Sequence, residues 1–122
     1  MSVKRIRLEL ARSPRFPGGS ARRGYEFIAP LRHDGHIDPD AWARQRTKCT
    51  VRRFWEGEDD AHGHVRRMGT GWVFHYDLDR EPAADEPGYR FASHVFKPGE
   101  YVSITEHDGS LGTFKVVSVV DG

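Results

Sequence analysis

The sequence predicts a mainly β fold: a single small barrel-like domain spanning residues 1–122, with six or seven strands and one short helix. Three observations predict it. The N-terminal run alternates apolar and charged residues with a period of two, the C-terminal stretch reads as a hairpin, and turn residues recur at the spacing of an all-β barrel or sandwich.

Ile6, Leu8 and Leu10 alternate with Arg5, Arg7 and Glu9, which describes a half-buried strand ended by Ser13-Pro14 and Pro17-Gly18-Gly19. Tyr25, Phe27, Ala29 and Leu31 mark one face of a second strand, which stops at the turn material His33-Asp34-Gly35. Asp38-Pro39-Asp40-Ala41-Trp42 carries the helical signal. Asp38 is placed as N-cap, Pro39 at the first helical position, and Asp40 near the positive end of the helix dipole. A helix of about two turns does not hold itself together in water, so Trp42 is expected to anchor it across an open end of the β-structure.

Thr47 to Trp55 is β-prone but leaves its inner face ambiguous: Cys49, Val51, Arg53 and Trp55 oppose Thr50, Arg52 and Phe54. Glu56 to His64, EGEDDAHGH, reads as an exposed polar loop. Val65 to Met68 and Trp72 to Tyr76 are strand segments interrupted by Gly69-Thr70-Gly71. Residues 79–88 read as a surface loop, and Tyr89 to Phe96 as a further strand. Tyr101 to Thr105, the turn pair Asp108-Gly109 and Phe114 to Val120 form the closing hairpin. The last segment loses strict alternation, which predicts a bulge or burial on both sides. Its low charge and β-branched content predict pairing along both edges.

Composition bounds the function. Hydrophobic residues make up 37% and charged residues 30%, as in folded soluble domains. The single cysteine, Cys49, has no partner for an intramolecular disulfide, and the expected home is the reducing cytoplasm. The N-terminal residues intersperse charges among apolar groups, so neither a signal peptide nor a membrane partner is expected. Nineteen basic against eighteen acidic side chains give a net charge of +1, and no global field draws the chain to nucleic acid or anionic lipid. The distribution is uneven. Residues 1–55 carry 13 basic and 5 acidic side chains, a balance of +8, and residues 56–122 carry 6 and 13, a balance of −7. Pairing of the two halves across neighbouring strands accounts for this more simply than a binding face does.

The leading functional expectation is a non-enzymatic binding or interaction domain, with a protein or small molecule as partner. Its candidate surface comprises Trp42 together with the aromatic strand Trp72, Phe74 and Tyr76, which would either line a pocket or fill the core. An alternative is a metal-binding protein or metal-dependent enzyme. His62 and His64, two apart on extended chain, point to one side and can share a divalent ion, with Asp59 and Asp60 nearby. That site needs a third ligand. His75 lies eleven residues beyond His64, about 36 Å along an unbroken strand, and only a fold-back at Gly69-Thr70-Gly71 would bring it close. Apart from such an ion no cofactor is expected. A third reading is single-stranded nucleic-acid binding through Arg52, Arg53 and Trp55, opposed by the near-zero net charge and the acidic residues that follow.

Other candidates carry less. His33-Asp34-Gly35-His36 is what a turn looks like, His107 beside Asp108 sits on the hairpin turn, and Cys49 among mixed residues on a strand reads as a small buried hydrophobe. No G-x-S-x-G, P-loop, G-x-G-x-x-G or H-E-x-x-H motif occurs. The stretches LELARSPRFPGGSARRGYEFIAPL and HVFKPGEYVSITEHDG resemble small conserved proteins of alphaproteobacterial type that carry no assigned function. That resemblance spans most of the chain and implies no catalytic residue and no ligand.

Overall fold

Eight antiparallel strands, each hydrogen-bonded to its neighbour in chain order, close on themselves as a barrel in the computed structural model, which describes residues 3–76, 90–92, 94–106 and 109–122. The strands are β1 (Val3–Leu10), β2 (Ser20–Pro30), β3 (Thr50–Trp55), β4 (Glu58–Met68), β5 (Gly71–Tyr76), β6 (Arg90–Phe91), β7 (Tyr101–Thr105) and β8 (Leu111–Asp121). A helix, α1 (Pro39–Arg44), and a 3-10 turn, Arg46–Lys48, lie between β2 and β3. The class is the expected one, with one or two more strands than anticipated. Among the described residues no helix is long and apolar enough to cross a membrane.

Alternation sets the interior. Ile6 and Leu8 of β1 and Tyr25, Phe27 and Ala29 of β2 are buried, while Arg7 faces outward opposite Glu26 and bonds Glu9 at 2.9 Å. On β3 the ambiguity resolves with Val51 and Arg53 inside. Phe54 on the other face is buried instead beneath the guanidinium groups of Arg7 and Arg52, 4.4 and 5.1 Å from its ring centroid. β8 is paired along both edges, to β7 and to β1, and its register against β1 shifts between Arg7 and Leu8, where Val117 bulges outward. Phe114 and Val116 face the core, whereas Val120 is exposed.

Two expectations are corrected. The polar stretch EGEDDAHGH is not a loop beyond its first two residues: Glu56 and Gly57 make a tight turn, with Gly57 at φ +87°, and the chain then runs as β4 without interruption to Met68. Its inner face is built from Ala61, Gly63 and Val65, too small to register as a hydrophobic pattern. A Cβ on Gly63 would meet the His75 carbonyl oxygen at 2.0 Å, so close approach of β5 requires a glycine there. The expected strand from Tyr89 to Phe96 reduces to the two residues of β6. Phe96 is buried outside any strand, its ring 5.3 Å from that of Phe27 and 6.0 Å from that of Phe91. Tyr89, residues 79–88 and Asp108 lie outside the described residues.

The helix forms as its cap predicts. The Asp38 carboxylate accepts from the backbone N–H groups of Asp40 and Ala41 at 2.9 and 3.1 Å, and the Ala41 N–H above all holds its pKa below the ordinary carboxylate value. Trp42 is half-buried, donates its indole N–H to the Val65 carbonyl at 2.9 Å, and meets Trp72 edge to face at 5.4 Å. These contacts dock the helix where β4 ends and β5 begins.

Candidate functional site

Docking of α1 and the 3-10 turn against the end of β4 leaves a cleft of about 520 Å³ lined by Trp42, Arg46, Thr47, His64, Val65, Arg66 and Arg67. Each wall follows from local structure. His64 and Arg66 lie on the outer face of β4, because Gly63 and Val65 take its inner face. Arg67, in register with Trp72, turns over that indole with its guanidinium carbon 4.8 Å from the ring centroid, and its Nε donates to the Gly69 carbonyl at 3.0 Å. Arg46 lies 5.3 Å from the Trp42 ring.

Several arginines elsewhere on the surface are paired with carboxylates. Arg7 is paired with Glu9 and Glu26, Arg52 with Asp60 and Glu26, Arg22 and Arg23 with Glu56, and Arg32 with Asp38. Among the described residues Arg46, Arg66 and Arg67 have no carboxylate partner, and none that lines the cleft is acidic. Two of the three are held by stacking on indoles instead. A guanidinium over an indole keeps Nη–H donors, the groups that bond oxyanions.

Of the residues expected at a binding surface, Trp42 is at the cleft. Trp72, Phe74 and Tyr76 are core, 2%, 2% and 6% exposed, so the aromatic strand fills the barrel rather than lining a pocket. Arg52, Arg53 and Trp55 do not share one face. Arg52 points outward onto Asp60 at 3.0 Å, while Arg53 is buried with Glu58 at 3.2 Å and stacks on Trp55 at 4.3 Å. Adjacent residues of a strand point to opposite sides, and both cations are already engaged.

His62 and His64 do share the outer face of β4, on strand rather than loop, and the turn at Gly69 and Thr70 brings His75 directly across from His64. Even so, among the described residues no three His, Cys, Asp or Glu side chains converge to hold a metal ion, and Asp60 is committed to Arg52. Asp34 accepts from the His36 backbone N–H at 3.0 Å, the main cause of its lowered pKa, and its carboxylate lies 3.2 Å from the His36 ring, as a turn requires. His107 lies outside the described residues.

Cys49 is fully buried, and desolvation pushes its thiol up to about 11. Little thiolate exists near neutral pH, which is inconsistent with a nucleophile. The folded protein is expected not to react with Ellman's reagent at pH 8, and to release one equivalent of thiolate chromophore on unfolding in guanidinium. Stoichiometric reaction before unfolding would contradict this burial.

A second polar constellation occupies the opposite end of the barrel. The buried Tyr25 hydroxyl donates to Glu106 Oε2 at 3.0 Å, and Arg53 Nη2 lies 3.9 Å from the same oxygen. Burial first, and the Glu106 charge second, raise the Tyr25 pKa well above that of a free phenol. Its hydroxyl therefore stays a proton donor to the carboxylate, a structural role.

Sequence reasoning missed Arg46, Thr47, Arg66, Arg67 and Glu106. A signal for the arginines did exist: residues 41–55 and 61–76 contain no Asp or Glu at all, and these two stretches build the cleft. No family model matches the chain, and neither a curated protein nor a solved structure does.

Proposed function

We propose that the chain is a non-enzymatic binding domain whose ligand is anionic and docks in the cleft between Trp42 and the end of β4. The observation that carries this reading is the lining itself: Arg46, Arg66 and Arg67 all line a cleft of about 520 Å³, and none of its described lining residues is a carboxylate. Cations that line one cleft without a carboxylate favour a bound anion there. The volume falls within the range of small-molecule sites. A buried free thiol suits a reducing, cytoplasmic setting.

Location separates this reading from general basicity. Replacing Arg46, Arg66 and Arg67 together by alanine is expected to abolish retention on phosphocellulose at moderate salt. Replacing the exposed Arg12, Arg15 and Arg22, an equal change in net charge, is expected to leave most of it. Equal losses in the two triple variants would refute the cleft as the site.

A further inference from the structure

We infer that the anion this cleft takes is a compact phosphate ester of nucleotide size, not a nucleic-acid strand; the inference rests on the anion-binding reading above. The donor chemistry comes first. The guanidinium carbons of Arg46 and Arg67 lie 5.3 and 4.8 Å from the Trp42 and Trp72 ring centroids, and among the described residues neither group is bonded to a carboxylate. Guanidinium forks bind phosphate oxygens in pairs, where lysine would act as a hydrated point charge. With Arg66 and Thr47 also on the lining, the cleft offers three cations and a hydroxyl, a composition that suits an anion of two or three charges. That describes a phosphate or diphosphate group better than a single carboxylate.

The extent of the charge argues against a polymer. Moving along the outer face of β4 away from Arg66, the successive outward positions are His64, His62 and Asp60. The neighbouring cation across from His62, Arg52, is already bonded to Asp60 at 3.0 Å. From Arg66 to Asp60 is about 20 Å of strand, so a chain of phosphates leaving the cleft in this direction meets carboxylates within a few nucleotides. On the helix side Asp38 and Asp40 open α1. With a net charge of only +1 there is no wider field to draw a strand across these acids. The half-buried indole of Trp42 on the same wall offers aromatic surface for the organic part of the ester.

Titration of the ¹⁵N-labelled full chain with ADP, with pyrophosphate and with a short oligouridylate tests this. ADP and pyrophosphate are expected to shift the amides of residues 42–47 and 64–67 saturably. Arg46→Ala and Arg67→Ala are each expected to weaken ADP by about tenfold or more, and Arg12→Ala not at all. Tighter binding of the oligouridylate than of ADP at the same amides, with a steep salt dependence, would overturn the compact-ligand inference and leave the anion-binding reading standing. Absence of shifts with all three probes would overturn both, as would shifts that map elsewhere or survive the two cleft substitutions.

Discussion

Phe114→Ala is expected to destabilise the protein by about 3–5 kcal/mol, measured as the change in unfolding free energy in urea. The ring is fully buried on β8 and meets Tyr25 at 5.1 Å and Trp55 at 6.4 Å, both edge to face. Its far edge abuts Gly112, where even an added Cβ would lie 2.9 Å from the ring. Truncation removes the transfer free energy of the aromatic group, two ring contacts and the only large group at that position. Strands paired on both edges cannot collapse to refill the space, so the cavity persists. Against a typical total of about 5–15 kcal/mol the loss is a large fraction, and the midpoint of thermal unfolding is expected to fall by on the order of 10–20 °C. Tyr101→Ala, on the exposed face of β7, serves as a control and is expected to change stability by about 0.5 kcal/mol or less. A cost below about 1 kcal/mol for Phe114→Ala would mean that β8 does not present this face to the core.

Local signals carried the fold where one residue's neighbours in sequence are also its determinants. The strict alternation in β1, the Asp38 cap with Pro39, and the β-branched runs of β7 and β8 each correspond to an element in the structure. The first part of β4, up to His64, was illegible for a physical reason. A strand is recognised by large apolar groups on its inner face, and here close packing against β5 demands Gly63 in the middle of that face, beside Ala61. Phe96 failed in the opposite sense, an apolar residue whose burial comes from packing on Phe27 and Phe91 rather than from a strand.

Two residues of the candidate site were legible in the sequence, Trp42 and, as a proposed metal ligand, His64. Trp42 stood out as a large aromatic on a helix too short to stand alone, and it does dock the helix beside the cleft. The arginines around it come from segments some twenty residues apart in sequence that meet only when β4 returns past the 3-10 turn. Adjacency misled in the case of Arg52, Arg53 and Trp55, where a cluster in sequence becomes two faces of one strand. The uneven charge of the two halves was read as cross-strand pairing, and Arg52–Asp60, Arg53–Glu58 and Arg22–Glu56 are such pairs. The cleft is one place where that pairing leaves basic groups over, as it also does, among the described residues, at Arg12, Arg15 and Arg44.

Arg53→Ala is expected to cost about 3–5 kcal/mol, comparable to losing a core aromatic although the residue is charged. The Arg53 side chain is 7% exposed and reaches Glu58 at 3.2 Å and Glu106 at 3.9 Å, with its guanidinium on the Trp55 face at 4.3 Å. The Glu106 side chain is itself only 11% exposed and accepts the Tyr25 hydroxyl. Removing the cation leaves the Glu106 carboxylate in a low-dielectric barrel end, with the Tyr25 phenol still donating to it and the Arg53 charge gone. The penalty is thus mainly that of an uncompensated buried charge rather than of lost contact area. A double-mutant cycle separates the two. Adding Glu106→Gln to Arg53→Ala is expected to recover stability relative to Arg53→Ala alone, because the amide needs no countercharge and still accepts from Tyr25, with a coupling of about 1–3 kcal/mol. Strict additivity of the two substitutions would show that Arg53 acts through packing on Trp55, and a single-variant cost below about 1 kcal/mol would show that it is not buried with Glu106 at all. The same arithmetic explains why Arg53 is unsuited to hold a ligand: a cation already required by a buried carboxylate has no charge to spare, whereas Arg46, Arg66 and Arg67 have no such obligation among the described residues.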